Sequence, residues 1–123
     1  MTAFVSDVVE WLRNTKEVTI RTAKHPDTDV IIWIVVAADG EVYVRSVKGE
    51  RGRWYRDLRS DGRATLLVNR RNLPVHAVAA TDEHSVERAS QEFRTKYRSS
   101  SYVGSMLRAE VLPTTMRLEP RAD

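Results

Sequence analysis

Residues Val30 to Ala37 are apolar at every position, and most of them are β-branched. Eight such residues suit a strand better than a helix, and the apolar stretch to Ala38 is far too short to span a membrane. The run therefore predicts a strand buried on both faces. Asp39-Gly40 follows directly, and Asp-Gly between two apolar runs is among the strongest hairpin signals. Glu41 to Val47 then returns antiparallel, with Val42, Val44 and Ser46 on one face and Tyr43, Arg45 and Val47 on the other.

The remaining elements arrange themselves around this hairpin. Phe4, Val8, Trp11 and Leu12 share one helical face, so a helix runs from about Thr2 to Arg13, with Asn14 as its stop. Val18 to Ala23 alternates as a strand, and Lys24 to Asp29, with Pro26, is a loop. Trp54, Tyr55 and Leu58 have the spacing of a short helix that Asp61-Gly62 ends. Ala64–Asn69 and Leu73–Ala80 read as the fourth and fifth strands, joined by a turn at 70–72. Pro74 places the fifth strand at an edge or a bulge. Thr81 caps a helix whose buried stripe is Val86, Ala89, Phe93 and Tyr97. A helical turn over Tyr102–Leu107 and a sixth strand over Thr114–Leu118 complete the chain.

The first three strands follow one another with no crossover helix, which argues against a parallel βαβ sheet. The expectation is a mainly β, α+β fold: a six-stranded antiparallel barrel with N-terminal, mid-chain and C-terminal-half helices. At 123 residues it reads as one domain, with the N-terminal helix in 1–16, the barrel in 17–120 and a tail in 121–123.

Several kinds of chemistry drop out at once. There is no cysteine, hence no disulfide, thiolate catalysis or cysteine-ligated metal. His25, His76 and His84 show no ligand spacing, so no metal site is expected. Ser46 has no nucleophile elbow around it and no neighbouring histidine in sequence. The N-terminus carries no basic region of a secretory signal, which leaves a cytoplasmic location as the default.

The charge distribution is more informative than the net +3. Residues 45–71 hold nine Arg or Lys against three acids, whereas the rest of the chain has eleven basic and fourteen acidic residues. A strand leading through Lys48, Gly49, Arg51, Gly52 and Arg53 into a helix start is a plausible phosphate cradle. Arginines at a helix N-terminus oppose the macrodipole by about 0.3–1 kcal/mol each, a cost that a bound anion reverses. The bland alternative is a solvated charge run. Trp54 and Tyr55 point to different sides of their helix, one toward the core and the other toward a flat ligand or a partner. Nucleic-acid binding is the weaker reading, because the basic patch is local and no second aromatic sits on a basic strand.

Ser46-x-Lys48-Gly49, a short basic stretch and Trp54-Tyr55-x-Asp57-Leu58 together resemble the split β-barrel family of flavin- and deazaflavin-binding proteins. That family includes pyridoxamine-phosphate-oxidase-like proteins and deazaflavin-dependent nitroreductases, and the likeness is strongest to an uncharacterised branch of small single-domain barrels. It extends to the buried strand with its Asp39-Gly40 hairpin and to the closing segment Thr114 to Pro120. The resemblance implies a homodimeric split barrel that binds FMN or a deazaflavin coenzyme near its interface. Arg45, Ser46, Lys48, Gly49, Arg51, Gly52, Arg53, Trp54 and Tyr55 would hold the cofactor, and Tyr97 and Tyr102 fall where substrate-facing tyrosines occur. The chain departs from the nitroreductase pattern in its shorter loop, its lack of a proline before Trp54, and Asp57 in place of Asn. Three functions follow as expectations: an oxidoreductase acting on a small organic substrate, a cofactor-binding module without catalysis, and a basic nucleic-acid-binding or regulatory domain. The residues name no catalytic acid or base.

Overall fold

The computed structural model describes residues 3–122. In chain order it contains α1 (Ser6–Asn14), β1 (Glu17–Thr22), β2 (Val30–Trp33), β3 (Val35–Val36), β4 (Val42–Val44), α2 (Arg53–Ser60), β5 (Arg63–Val68), β6 (Arg71–Ala79), α3 (Glu83–Lys96) and β7 (Met116–Pro120). Short 3-10 turns at Gly49–Arg51, Val103–Met106 and Leu112–Thr114 link them. The strands form one antiparallel sheet in the order β2-β1-β5-β6-β7-β4-β3. Its two end strands, β2 and β3, are separated in sequence by Ile34 alone. The sheet therefore curls until its ends meet, giving a nearly closed barrel.

This arrangement corrects the expected six strands to seven. The apolar run is not one strand, because it breaks at Ile34. There the backbone leaves the ladder and finds other partners, as buried peptide groups must. The Ile34 N–H donates to the Tyr97 hydroxyl at 3.1 Å, and its carbonyl accepts from Lys96 Nζ at 2.6 Å. Burial on both faces also holds only for the second half of the run. Ile34 and Val36 enter the barrel interior, while Val35 and Ala37 pack with Tyr43, Ala89 and Phe93 beneath α3. β2 is covered by α3 only at its end, where Trp33 packs against the α3 cluster, and its Ile31 is 66% exposed.

Other boundaries shift for local reasons. α1 begins at Ser6 rather than near Thr2; Thr2, like Asp123 of the tail, lies outside the described residues. The α3 cap is Asp82, whose carboxylate accepts from the Ser85 N–H at 3.1 Å, rather than Thr81. Asn69 and Arg70 form the turn between β5 and β6 with positive φ of 52° and 61°, one residue earlier than expected. Pro74 lies in an interior strand, not at an edge. It sits one residue before β6 begins to pair with β7 at Val75, so its missing N–H removes no rung from that ladder. The Asp39-Gly40 hairpin forms as anticipated, with Gly40 at φ 91° and the Ala37 N–H donating to the Glu41 carbonyl at 2.8 Å. Arg88 of α3 clasps this hairpin by pairing with Asp39 and Glu41.

Candidate functional site: a basic cleft at the end of β4

The barrel interior is filled by side chains, so a ligand must bind outside it. β4 delivers Arg45, Ser46, Val47 and Lys48 to one wall of a cleft of about 710 Å³. The start of α2 adds Gly52, Arg53 and Trp54; the end strand β2 adds Val30 to Trp33; and the segment after α3 adds Ser100, Tyr102, Ser105 and Met106. The volume falls within the roughly 300–1,000 Å³ usual for small-molecule sites.

Arg45 is almost completely buried and has no carboxylate partner among the described residues. Its Nε donates to Thr115 Oγ1, one terminal nitrogen donates to the Met106 carbonyl, and the other donates to the Val86 carbonyl and Ser90 Oγ, all at 2.9–3.0 Å. The guanidinium also lies 5.3 Å from the Phe93 ring centre. Burial, with Arg94 adding like-charge repulsion, lowers its pKa to about 10. Arg45 thus ties the end of β4 to α3, to Thr115 just before β7 and to the Met106 turn, and it keeps a net positive charge at the cleft wall.

Ser46 is the cleft's telling residue. Its backbone N–H donates to Thr114 Oγ1 at 2.9 Å, and the residue is 1% exposed. Its hydroxyl oxygen is buried and has no hydrogen-bond partner among the described residues. Leaving a buried hydroxyl unpaired costs about 1–3 kcal/mol, so such groups call for an explanation. A Cβ at Gly52 would collide with this hydroxyl, so only glycine permits the close approach. Gly52 is also the N-cap of α2. No side chain caps that helix and no acid lies in its first turn, which begins with Arg53. The uncapped helix start, the unpaired hydroxyl and two cations (Lys48 and Arg53) therefore share one cleft.

The strand β2 gives the cleft an aromatic face. Trp33 stacks on Tyr97 with ring centres 3.9 Å apart and planes 3° from parallel. Trp33 lines the cleft, whereas Tyr97 lies behind it, buried. The Tyr97 hydroxyl donates to the Lys16 carbonyl at 2.6 Å, and burial raises its pKa to about 12. Tyr102 projects at the cleft mouth, 71% exposed.

Among the residues expected to hold a cofactor, Arg45, Ser46, Lys48, Gly52, Arg53 and Trp54 line this cleft. Gly49, Arg51 and Tyr55 do not. Gly49 and Arg51 bound the 3-10 turn, where Gly49 takes φ 67° against the Glu110 carbonyl and Arg51 points to solvent. Tyr55 turns into the core, and its hydroxyl accepts from Arg59 at 2.9 Å. Trp33, Lys16, Ser100 and Met106 were not anticipated. A uniformly apolar run gives no signal of which residue faces a cleft. Asp57, in place of the usual Asn, lies away from the cleft, accepting from Thr22 Oγ1 at 2.9 Å and facing His25 Nδ1 at 2.6 Å. Among the described residues no cluster of His, Asp or Glu is suited to a metal, and no helix is long and apolar enough to cross a membrane.

A family model described as an uncharacterized protein conserved in bacteria, DUF2255, matches residues 8–118. The chain belongs to that family. No curated protein matches it by sequence. Solved structures do match. A conserved hypothetical protein from Mycobacterium tuberculosis superposes with a TM-score of 0.66 at 14% identity, covering 99% of this chain and 83% of that one. HutZ, the heme storage protein from Vibrio cholerae, gives 0.63 at 12%, covering 98% and 92%. An FAD-binding protein from Mesorhizobium loti gives 0.59 at 12%, covering 99% and 93%. At such identities the likeness establishes a common fold, the split barrel.

Proposed function

We propose that this DUF2255 protein binds FMN or a deazaflavin coenzyme in the cleft and acts as an oxidoreductase on a small organic substrate. The observation that carries this reading is the buried, unpartnered Ser46 hydroxyl, set against Gly52 at the uncapped start of α2. That corner fits a phosphate: a hydroxyl donor, backbone N–H groups and the cations Lys48 and Arg53. Trp33 and Trp54, with Ile32 and Met106, give the cleft an apolar lining that fits a flat ring. The cofactor would supply the hydride chemistry. The chain's own part is to hold the phosphate, orient the ring and shield it from water. A fold shared with an FAD-binding protein supports the same reading.

Among the described residues the cleft presents one carboxylate, Glu17, and no histidine, so its lining offers no acid–base pair. That observation favours a second reading, a module that binds the cofactor without turnover. Ile31, Val47 and Tyr102 are large apolar side chains exposed on the cleft lining. They support a homodimer in which a second copy covers the ring.

The test is titration of apo-protein with FMN and, separately, with a deazaflavin coenzyme, followed by ring fluorescence. Lys48→Ala and Arg53→Ala should each weaken binding about tenfold or more while the circular dichroism spectrum stays unchanged. If neither cofactor changes its fluorescence, the proposal fails. Retained binding without reduction of any electron acceptor would favour the non-catalytic module. Sedimentation should give twice the monomer mass of 14.1 kDa.

A further inference from the structure

A second cleft, of about 660 Å³, opens beside the first. It lies between the end of α1, the turn into β1, the end of α3 and the serine-rich segment after it. Its lining contains three cations, Arg13, Lys16 and Lys96, and three consecutive hydroxyls, Ser99, Ser100 and Ser101, but no carboxylate among the described residues. Lys16, Ser100 and Tyr102 line both clefts, so the two are contiguous.

Cations near helix C-termini have a bland role, which is to cap the last carbonyls. Part of this set is likewise engaged by carbonyls, of which only that of Leu12 belongs to a helix end. Lys96 Nζ donates to the Leu12 carbonyl at 3.0 Å and to the Ile34 carbonyl at 2.6 Å, and Arg13 reaches the Ala37 carbonyl at 3.2 Å. Capping leaves much of the donor capacity over. An ammonium has three N–H donors and a guanidinium five. Neutral carbonyls also leave the charge uncompensated. Lys96 has no carboxylate partner among the described residues, and desolvation, with Arg13 close by, draws its pKa down to about 8. A concave, hydroxyl-lined site of net positive charge lacks one component, an anion.

We infer that the second cleft is the subsite for the carboxylate of a small organic substrate, whose body extends past Tyr102 into the main cleft. The inference rests on the main cleft being the cofactor site, and it adds a substrate class: organic acids rather than neutral molecules. The anion would sit among Arg13, Lys16, Lys96 and the Ser99–Ser101 hydroxyls, with charge-assisted hydrogen bonds providing the selectivity. An aromatic or apolar body would lie against Tyr102.

The probe is benzoate, with benzyl alcohol as the uncharged comparison, each titrated into the full chain and followed by backbone amide NMR. Benzoate should shift the amides of 99–102 saturably, before and after loading with FMN, and benzyl alcohol should bind at least about tenfold more weakly. Arg13→Gln and, as a variant on an exposed loop that keeps the fold, Ser99→Asp should each weaken benzoate about three- to tenfold. Both should leave FMN affinity within twofold, because neither residue lines the main cleft. Equal binding of benzoate and benzyl alcohol would overturn the inference. So would displacement of benzoate by FMN, which would assign the cations to the cofactor's own tail. If FMN fails to bind while benzoate still shifts residues 99–102, the anion subsite stands and the cofactor reading falls.

Discussion

Replacing Ser46 with alanine should stabilise the ligand-free protein and weaken its complex with FMN. The Ser46 hydroxyl is buried without a partner, a state that costs about 1–3 kcal/mol. Alanine removes that oxygen and keeps the backbone bond from the Ser46 N–H to Thr114 Oγ1. Some packing is lost with the atom, so the expected net gain is about 0.5–1 kcal/mol. For a chain of this length that raises the melting temperature by roughly 2–5 °C. In the complex the sign reverses. A hydroxyl donating to a phosphate contributes about 1.5–3 kcal/mol, so its loss should weaken FMN about tenfold or more. Scanning calorimetry without ligand and fluorescence titration with FMN read the two effects separately. A purely structural serine would lose stability on substitution and leave affinity unchanged, and that pair of results would refute the reasoning.

Arg45→Met should cost about 2–4 kcal/mol of stability in urea unfolding, since it strips partners from the Met106 carbonyl and Ser90 Oγ in a buried setting. A loss below about 1 kcal/mol would mean that the arginine's desolvation cancels its hydrogen bonds. Lys96 makes a prediction about pH. Its folded pKa, about 8, lies below the ordinary 10.5, so between these values the unfolded chain binds more protons. Stability should therefore rise from pH 8 toward pH 10, and the rise should be absent in Lys96→Met. The neutral amine still has two N–H groups for the Leu12 and Ile34 carbonyls, so the fold survives the titration. An identical pH profile in wild type and variant would show that the amine titrates normally.

Much of the architecture was legible because its signals are local. Asp39-Gly40 forms the hairpin, and alternation places β1 and β5 within one residue of expectation. The α3 stripe of Ala89, Phe93 and Tyr97 is buried as its spacing requires. The run Val30–Ala37 was misjudged in two respects, its continuity and its burial. Uniform apolarity records that side chains avoid water, but not where a backbone kinks or where a covering helix ends. The break at Ile34 depends on Lys96 and Tyr97, which are more than sixty residues away in sequence.

The proposed phosphate corner shows the same division. The residue types and spacing of Ser46, Lys48, Gly52 and Arg53 alone suggest an anion cradle beside a helix start. The tertiary structure decided which of their neighbours face it. The 3-10 turn at Gly49–Arg51 leaves Arg51 in solvent, and the helical periodicity of α2 sends Tyr55 inward and Trp54 outward. Trp33, Lys16 and the serines after α3 join the cleft only because the sheet curls until β2 meets β3 and brings distant segments together. Sequence determined the local chemistry, because propensity, turn geometry and charge act between near neighbours. Only closure of the barrel decided the shape of the site, because its walls come from segments that nothing but long-range packing holds side by side.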